Sequence, residues 1–512
     1  IHERRRPRHR HALLDAADRE RDVERRGVAD LENDVGPFVL LESRQVSGDL
    51  VGSRNDVRQE VRAVGVADDL GRYPDQSVWF LDNLGELGMS ENRISVGFDP
   101  AAPTTIPDQW QLDLYVPLAT LRGVRPVFSV SPTRARAVAE NPNAPVLYAQ
   151  YVALLARRYP TVKDFIIGNE PNQPRFWQPQ FGSWGQDVSA RSYSRLLAAS
   201  YDSLKAVDPA IRVIGLGLSP RGGDRPGAAN NVSTSPVRFI SALGKAYRAS
   251  GRKRPIMDEL AYHPYPDRDR DPLMKGYRWP NAGVPNLGRI KQAFWDAFRG
   301  TAQPRFPEGT GSGGVKFRLD ELGWQANAAP SAAFAYYGQE SIRPTNESGQ
   351  ARIYGDAIRY LACDASVHSV LFFLLRDEPN LDRWQAGLVR ADGTRRPSFY
   401  SVKAAIAQTR GRCQGKMRPW RHTTRVEGAR VKWPRMRTQP ARRLGLELVL
   451  NAQEDARFEA GLYNARGKRV LKRIGSIDAY RSRVVRFSTR FRPGRYTLRV
   501  QLKAEMNGAR KS

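Results

Sequence analysis

Cysteine is scarce in this chain: two residues in 512, Cys363 and Cys413. That scarcity excludes a cysteine-rich zinc module and a disulfide-dense scaffold. Long apolar runs are also missing; the run at 370–375 is far too short to cross a bilayer. No apolar signal-peptide core stands near the start. Zinc-finger spacing, an RNA-binding aromatic box and a helix-turn-helix signature are likewise lacking. The glycine-rich stretch at 309–314 precedes a strand instead of opening a helix, so it reads as a flexible connection and not a phosphate cradle. No ligand spacing suggests a metal or an organic cofactor.

What is present suits a folded chain: 40% hydrophobic and 26% charged residues. The formal charge of +29 invites a nucleic-acid reading. The basic residues are mostly scattered arginines with no recognition motif beside them, so a basic solvated surface is the simpler account. An anionic surface or an acidic polysaccharide would fit the charge equally well.

Residues 1–60 are rich in Arg, His and mixed charge and poor in aromatics. They read as a disordered or poorly packed extension, in the manner of translated upstream sequence. From residue 61 the text changes. Apolar strands at 61–67, 92–100, 125–132, 164–168, 211–218, 256–265, 315–324 and 367–375 alternate with amphipathic helices, the last at 398–409. Eight strand–helix units over 61–412, with strands apolar throughout, predict an α/β fold of the (β/α)8 TIM barrel type. Residues 415–512 change again, to short alternating strands at 444–450, 457–463, 484–491 and 494–502 separated by turns. This predicts a small all-β, sandwich-like accessory domain. It lacks a run of aromatics for stacking on sugars.

In such a barrel the C-terminal strand ends open onto one face. Strand four ends in Gly168-Asn169-Glu170-Pro171-Asn172, a polar cluster that a buried strand does not need. Strand six ends in His263-Pro264-Tyr265, strand seven in Leu319-Asp320-Glu321, with Trp324 just beyond, and strand eight in Arg376-Asp377-Glu378. Arg93, at the start of strand two, can point inward beneath this face. Two carboxylates on separate strand ends are the equipment of a glycosidase.

Asn-Glu-Pro at the end of strand four, with Glu at the end of strand seven, resembles clan A of the glycoside hydrolases. The wider text, including Phe176-Trp177, resembles family 39, with family 5 cellulase-like enzymes as close relatives. The resemblance covers about residues 61–410. It implies a retaining O-glycosyl hydrolase that cleaves β-glycosidic bonds in a polysaccharide or glycoconjugate. Glu170 would be the acid/base and Glu321 the nucleophile. Arg93 and Tyr265 would orient Glu321, and Asn169 would read the sugar 2-hydroxyl. His263, Asn172, Trp177, Trp324 and Trp384 are the further candidates for substrate contact. The resemblance requires no metal and no cofactor. The aromatic usual at the end of strand eight is not evident in Leu374-Leu375-Arg376. Loops 221–235 and 267–285 would set specificity, and Tyr277 and Trp279 in the second suggest a partly covered cleft. A catalytically silent carbohydrate-binding or cell-surface protein on the same barrel is the alternative, and the two carboxylates speak against it.

Cys363 and Cys413 each fall after a helix C-terminus on neighbouring barrel helices, so a bridge between them is geometrically open, as are two free thiols. A bridge would suit a secreted or cell-surface protein.

Overall fold

The computed structural model describes residues 62–311, 313–422, 430–439, 443–452, 456–477, 482–490 and 495–504. The expected extension at 1–60 lies outside them. Eight parallel strands close into a barrel: β1 (Ala63–Ala67), β2 (Glu91–Phe98), β3 (Arg125–Pro132), β4 (Asp164–Ile167), β5 (Arg212–Leu218), β6 (Glu259–Tyr262), β7 (Lys316–Leu322) and β8 (Val367–Phe372). Each pairs with its sequence neighbour, and β8 closes on β1 with Gly65 opposite Leu371. The TIM barrel read from the strand–helix alternation is present. The predicted sixth strand is shortened, because β6 stops at Tyr262 and His263-Pro264-Tyr265 lies past its end. Pro264 has no amide proton to give a ladder.

Around the barrel run α1 (Pro74–Leu87), α2 (Gln109–Leu121), α3 (Ala137–Glu140), α4 (Ala144–Arg158), α5 (Val188–Val207), α6 (Pro236–Ala249), α7 (Leu287–Phe298), α8 (Glu347–Ala362) and α9 (Pro397–Thr409). Their starts carry the signals that satisfy orphan amides. Proline occupies the first helical position of α1, α6 and α9. The Asn346 side chain accepts from the Gly349 amide at 2.7 Å at the start of α8. The strands are buried on both faces, which is why they read as continuous apolar runs.

Inside the barrel a small apolar layer of Val127, Ile166, Ile214 and Ala261 lies between two charged layers. The lower one comes from the first residues of alternate strands: Glu91, Asp164, Glu259 and, on β8, His368. Arg318, fully buried, reaches Glu91 at 2.9 Å and both Asp164 and Glu259 at 3.0 Å. Burial pushes the Asp164 and Glu259 carboxyls up, but Arg318, together with Arg212 at Asp164 and His368 at Glu259, outweighs it and holds each at about 2.

Beyond the barrel six strands form two antiparallel sheets. β9 (Arg430–Gln439), β10 (Arg443–Asn451) and β13 (Ser482–Arg490) make one, in the order β13-β10-β9. β11 (Ala456–Asn464), β12 (Arg469–Ile477) and β14 (Tyr496–Ala504) make the other, in the order β12-β11-β14. A core of Leu448, Leu450, Phe458, Leu462, Val485 and Phe487 joins them. The sequence reading omits β9 and β12. β12 leaves most of its side chains exposed, and its Val, Leu and Ile residues are interrupted by Arg469, Lys472 and Arg473 with no regular apolar alternation.

Cys363, just past α8, and Cys413, past α9, are bridged with their Cα atoms 4.5 Å apart. Thiol titration in denaturant without reductant is expected to find no free thiol. Reduction should lower stability by roughly 2–4 kcal/mol for a loop of this length. Replacing Arg318 by Met removes the one cation that all three buried carboxylates share, leaving Glu91 only Arg125, Asp164 only Arg212 and Glu259 only His368, and chemical denaturation should register a loss of about 3 kcal/mol.

Candidate active site

Glu170 is presented by a backbone that turns sharply. Gly168 has φ +79° and Glu170 itself φ +38°, in the left-handed region. A non-glycine residue there costs of order 1–3 kcal/mol and persists only where the surroundings over-determine it. Here they do. The Glu170 amide donates to the Gly217 carbonyl at 2.9 Å. Gly217 lies in a bulge of β5, where the register with β6 slips between Leu216 and Leu218 and Leu216 has φ +84°. The Tyr193 hydroxyl of α5 donates to the Ile167 carbonyl and accepts from the Leu216 amide, both at 2.6 Å. One buried phenol therefore supplies partners to backbone groups of both strand ends beside Glu170.

Glu321 owes its position to a second bulge. Between Leu319 and Leu322 the pairing of β7 with β8 shifts by one residue. Strict alternation would send Asp320 and Glu321 to opposite faces; the extra residue lets both carboxylates reach the barrel mouth.

There the carboxylates meet two buried cations. Arg93 contacts Glu321 Oε1 through Nη1 at 3.0 Å and Asp320 Oδ2 through Nε at 3.2 Å. Its Nη2 donates to Asn169 Oδ1 at 2.6 Å. The Tyr265 hydroxyl donates to Glu321 Oε2 at 2.8 Å. His263 lies between the acids, with Nδ1 3.0 Å from Glu170 Oε1 and 3.4 Å from Glu321 Oε2, and Nε2 3.2 Å from Asp320 Oδ2. A Glu170 oxygen, a Glu321 oxygen and a His263 ring nitrogen all fall within 4.8 Å of one another. The Glu170 and Glu321 side chains are only 15% and 11% exposed.

The charge balance dictates the protonation of His263. Burial pushes the imidazole down, but Glu321 and Asp320 together outweigh it and hold it up at about 10. With both nitrogens facing carboxylates, the ring is an imidazolium that donates in both directions. Burial alone would raise the Asp320 carboxyl, yet His263 and Arg93 hold it below its ordinary value. Burial, then the charge of Glu321, drives the Tyr265 phenol far up, so it remains a donor. Glu170, His263 and Glu321 are the one His/Cys/Asp/Glu cluster among the described residues whose atoms could reach a common ion. Held as an imidazolium, His263 offers such an ion no lone pair.

The structure thus brings Arg93, Asn169, Glu170, His263, Tyr265 and Glu321 together. Trp384 stands beside them, half-buried, its ring 5.0 Å from that of Tyr265. Three other candidates are elsewhere engaged. Asn172 is fully buried and holds loops together, donating to the Ser219 and Thr234 carbonyls and accepting from the Ser219 amide. Trp177, 2% exposed, packs edge-on against Tyr193 and donates to Ser192. Trp324, 1% exposed, donates to the Asp271 carbonyl. None of these three offers a face to a ligand. Tyr277 and Trp279 are also buried, so they pack the 267–285 loop and leave the cleft's cover to other groups. Arg376, Asp377 and Glu378 do not pair with one another. They bind the Ala391 carbonyl, Arg396 and the Trp384 amide respectively.

Two residues escape the sequence reading. Asp320 carries a signal, a charge directly before Glu321 in an apolar strand, where only a paired carboxylate is tolerated. Phe373, directly after β8, packs against Tyr265 and Trp384 at 6.4 and 5.4 Å and is the aromatic at that strand end. It is hidden in the sequence inside an apolar run.

The imidazole titrates at about 10 when folded and near 6.5 when unfolded. Its stabilisation is therefore complete below about pH 6.5 and is lost as pH rises toward 10. Denaturation midpoints should fall across that window, and His263→Gln should flatten the fall.

No family model and no curated protein sequence matches the chain. Solved structures similar to it include a family 39 glycoside hydrolase from the gut symbiont Bacteroides cellulosilyticus WH2. That match has a TM-score of 0.47 and 15% identity over 83% of this chain and 81% of that one. A glucosidase from Croceicoccus marinus matches with a TM-score of 0.45 and 14% identity, over 87% of this chain and 95% of that one. An exo-beta-1,4-mannosidase from Opitutaceae bacterium strain TAV5 matches with a TM-score of 0.40 and 16% identity, over 68% of this chain and 60% of that one. These likenesses are distant, and the reading of the site rests on its own geometry.

Proposed function

We propose that the protein is a retaining glycoside hydrolase that cleaves β-glycosidic bonds in a polysaccharide or glycoconjugate. The observation that carries this reading is the close approach of two carboxyl groups, with oxygens within 4.8 Å, at the mouth of a barrel. Retention calls for carboxyl groups about 5–5.5 Å apart, whereas inversion needs roughly 6.5–9.5 Å to admit a water. The two acids also differ in their partners as the two roles require. Glu321 is ion-paired with Arg93 and accepts from the Tyr265 hydroxyl, which holds both its oxygens and aims it as a nucleophile. Glu170 has the His263 ring on Oε1 alone, so its other oxygen is the one left to address the leaving group.

In the first step Glu170 passes its proton to the glycosidic oxygen as that bond to the anomeric carbon breaks, while a Glu321 oxygen forms an ester there. In the second, Glu170 takes a proton from water, the water oxygen bonds to the anomeric carbon, and the ester breaks to return Glu321 as carboxylate. Asn169 accepts from Arg93 through Oδ1, so its amide NH2 is the end free to hydrogen-bond the sugar 2-hydroxyl. Trp384 supplies an aromatic face beside the pair. A disulfide-bonded chain fits an oxidising compartment, and we infer that the protein is secreted or displayed at the cell surface.

A panel of aryl β-glycosides and polysaccharides tests the assignment. Glu321→Gln should abolish turnover. Glu170→Gln should slow it by about 10²–10⁴-fold on substrates with poor leaving groups, and far less on activated aryl glycosides. Substantial hydrolysis by the Glu321→Gln protein would refute the assignment.

A further inference from the structure

The basic excess is not spread evenly along the chain. Residues 413–512 hold 26 of the 82 Lys and Arg but only 7 of the 53 Asp and Glu, so +19 of the net +29 falls in the last hundred residues. Within the β12-β11-β14 sheet, the strand registers set a row of cations on one face. Arg457 of β11 stands opposite Lys503 of β14, and Gly461 stands between Lys472 of β12 and Arg499 of β14. These four basic residues are exposed. Their two rows are four residues apart along β11, about 14 Å at strand rise. The single acid between the rows, Glu459, is half-buried and already engaged by Lys472 at 2.9 Å and Arg469 at 3.4 Å. A shallow depression lined by Arg457, Glu459, Ile474, Gln501 and Lys503 runs across the same face.

We propose that this face docks a linear anionic polysaccharide, with its carboxylate groups lying along the two cation rows. The identity of the polymer rests on the glycosidase reading of the barrel; the polyanion chemistry rests on the sheet itself. A single-stranded nucleic acid would want exposed aromatic faces for its bases. Among the described residues, the aromatic near these rows is Tyr463, which lies over Gly461, where a Cβ would meet the ring at 2.9 Å, and Arg499 sits 4.8 Å above it. It is a support for a cation and not a stacking platform. Neutral sugars also stack on aromatic faces, so the sheet lacks the equipment to hold an uncharged glycan. Tethered to the barrel, such a sheet holds acidic polymer on the same molecule without taking part in bond cleavage.

Immobilised polygalacturonate, dextran of similar length and duplex DNA are the three probes, with the full chain in solution. The native protein should bind polygalacturonate, ignore dextran, and lose affinity roughly 10-fold or more between about 50 and 200 mM salt, as charge pairing with a polyanion demands. The variant K472Q/R499Q/K503Q should bind at least about 10-fold more weakly while keeping its melting temperature. If that variant does not fold, Lys503→Gln alone should give a smaller loss in the same direction. Equal binding by a folded variant, no retention of the native chain, or tighter binding to duplex DNA than to polygalacturonate would each overturn the proposal. Binding is read here without hydrolysis. A chain that binds polygalacturonate but cleaves no glycoside would contradict the barrel assignment and leave the docking face standing.

Discussion

Everything at the mouth of the barrel depends on keeping three carboxylates close together and away from water. As carboxylates, Glu170, Asp320 and Glu321 would repel one another if nothing stood between them. Arg93 and His263 thread between them, Arg93 touching Asp320 and Glu321 and His263 touching all three acids. The arrangement fixes more than charge. Arg93 has a planar fork of donors, so engaging Glu321, Asp320 and Asn169 at once sets the orientation of all three. His263 as an imidazolium presents a proton to Glu170 on one side and to Asp320 on the other. Buried ion networks contribute little to stability unless complete, and removing one member leaves the others uncompensated. The active constellation is therefore also a folding constraint.

The same device appears twice in this barrel. At the lower end Arg318 satisfies Glu91, Asp164 and Glu259 in a closed layer fully shielded from solvent. At the upper end the network is open: the two glutamates keep some exposure, and each retains an oxygen or an approach for a ligand. The proposed chemistry at the upper end depends on that opening, together with two bulges that break the strand ladders beside it. Barrel closure supplies rigidity, and the bulges supply the aim.

The fold was legible because parallel strands buried on both faces produce apolar runs, and helix patterns between them repeat eight times. Glu170, Glu321, Arg93, Asn169, His263 and Tyr265 were legible because polar residues at apolar strand ends stand out. What escaped did so for physical reasons. Trp177, Trp324 and Asn172 have the right residue types near the right strands, but burial direction decides their role, and a one-dimensional text carries no direction. Asp320 stands beside Glu321 in the same strand end, and only the β7 bulge brings both to the mouth. β12 had no apolar period because it contributes charge to a surface and little to the core.

The most direct test of the account is the stereochemistry of the reaction. Proton NMR of the first product formed from any aryl β-glycoside the protein hydrolyses reads the anomer before mutarotation mixes it. With Glu321 attacking the anomeric carbon directly, two displacements keep its configuration, so the β-anomer should appear first. Initial release of the α-anomer would contradict the assignment of Glu321 as nucleophile.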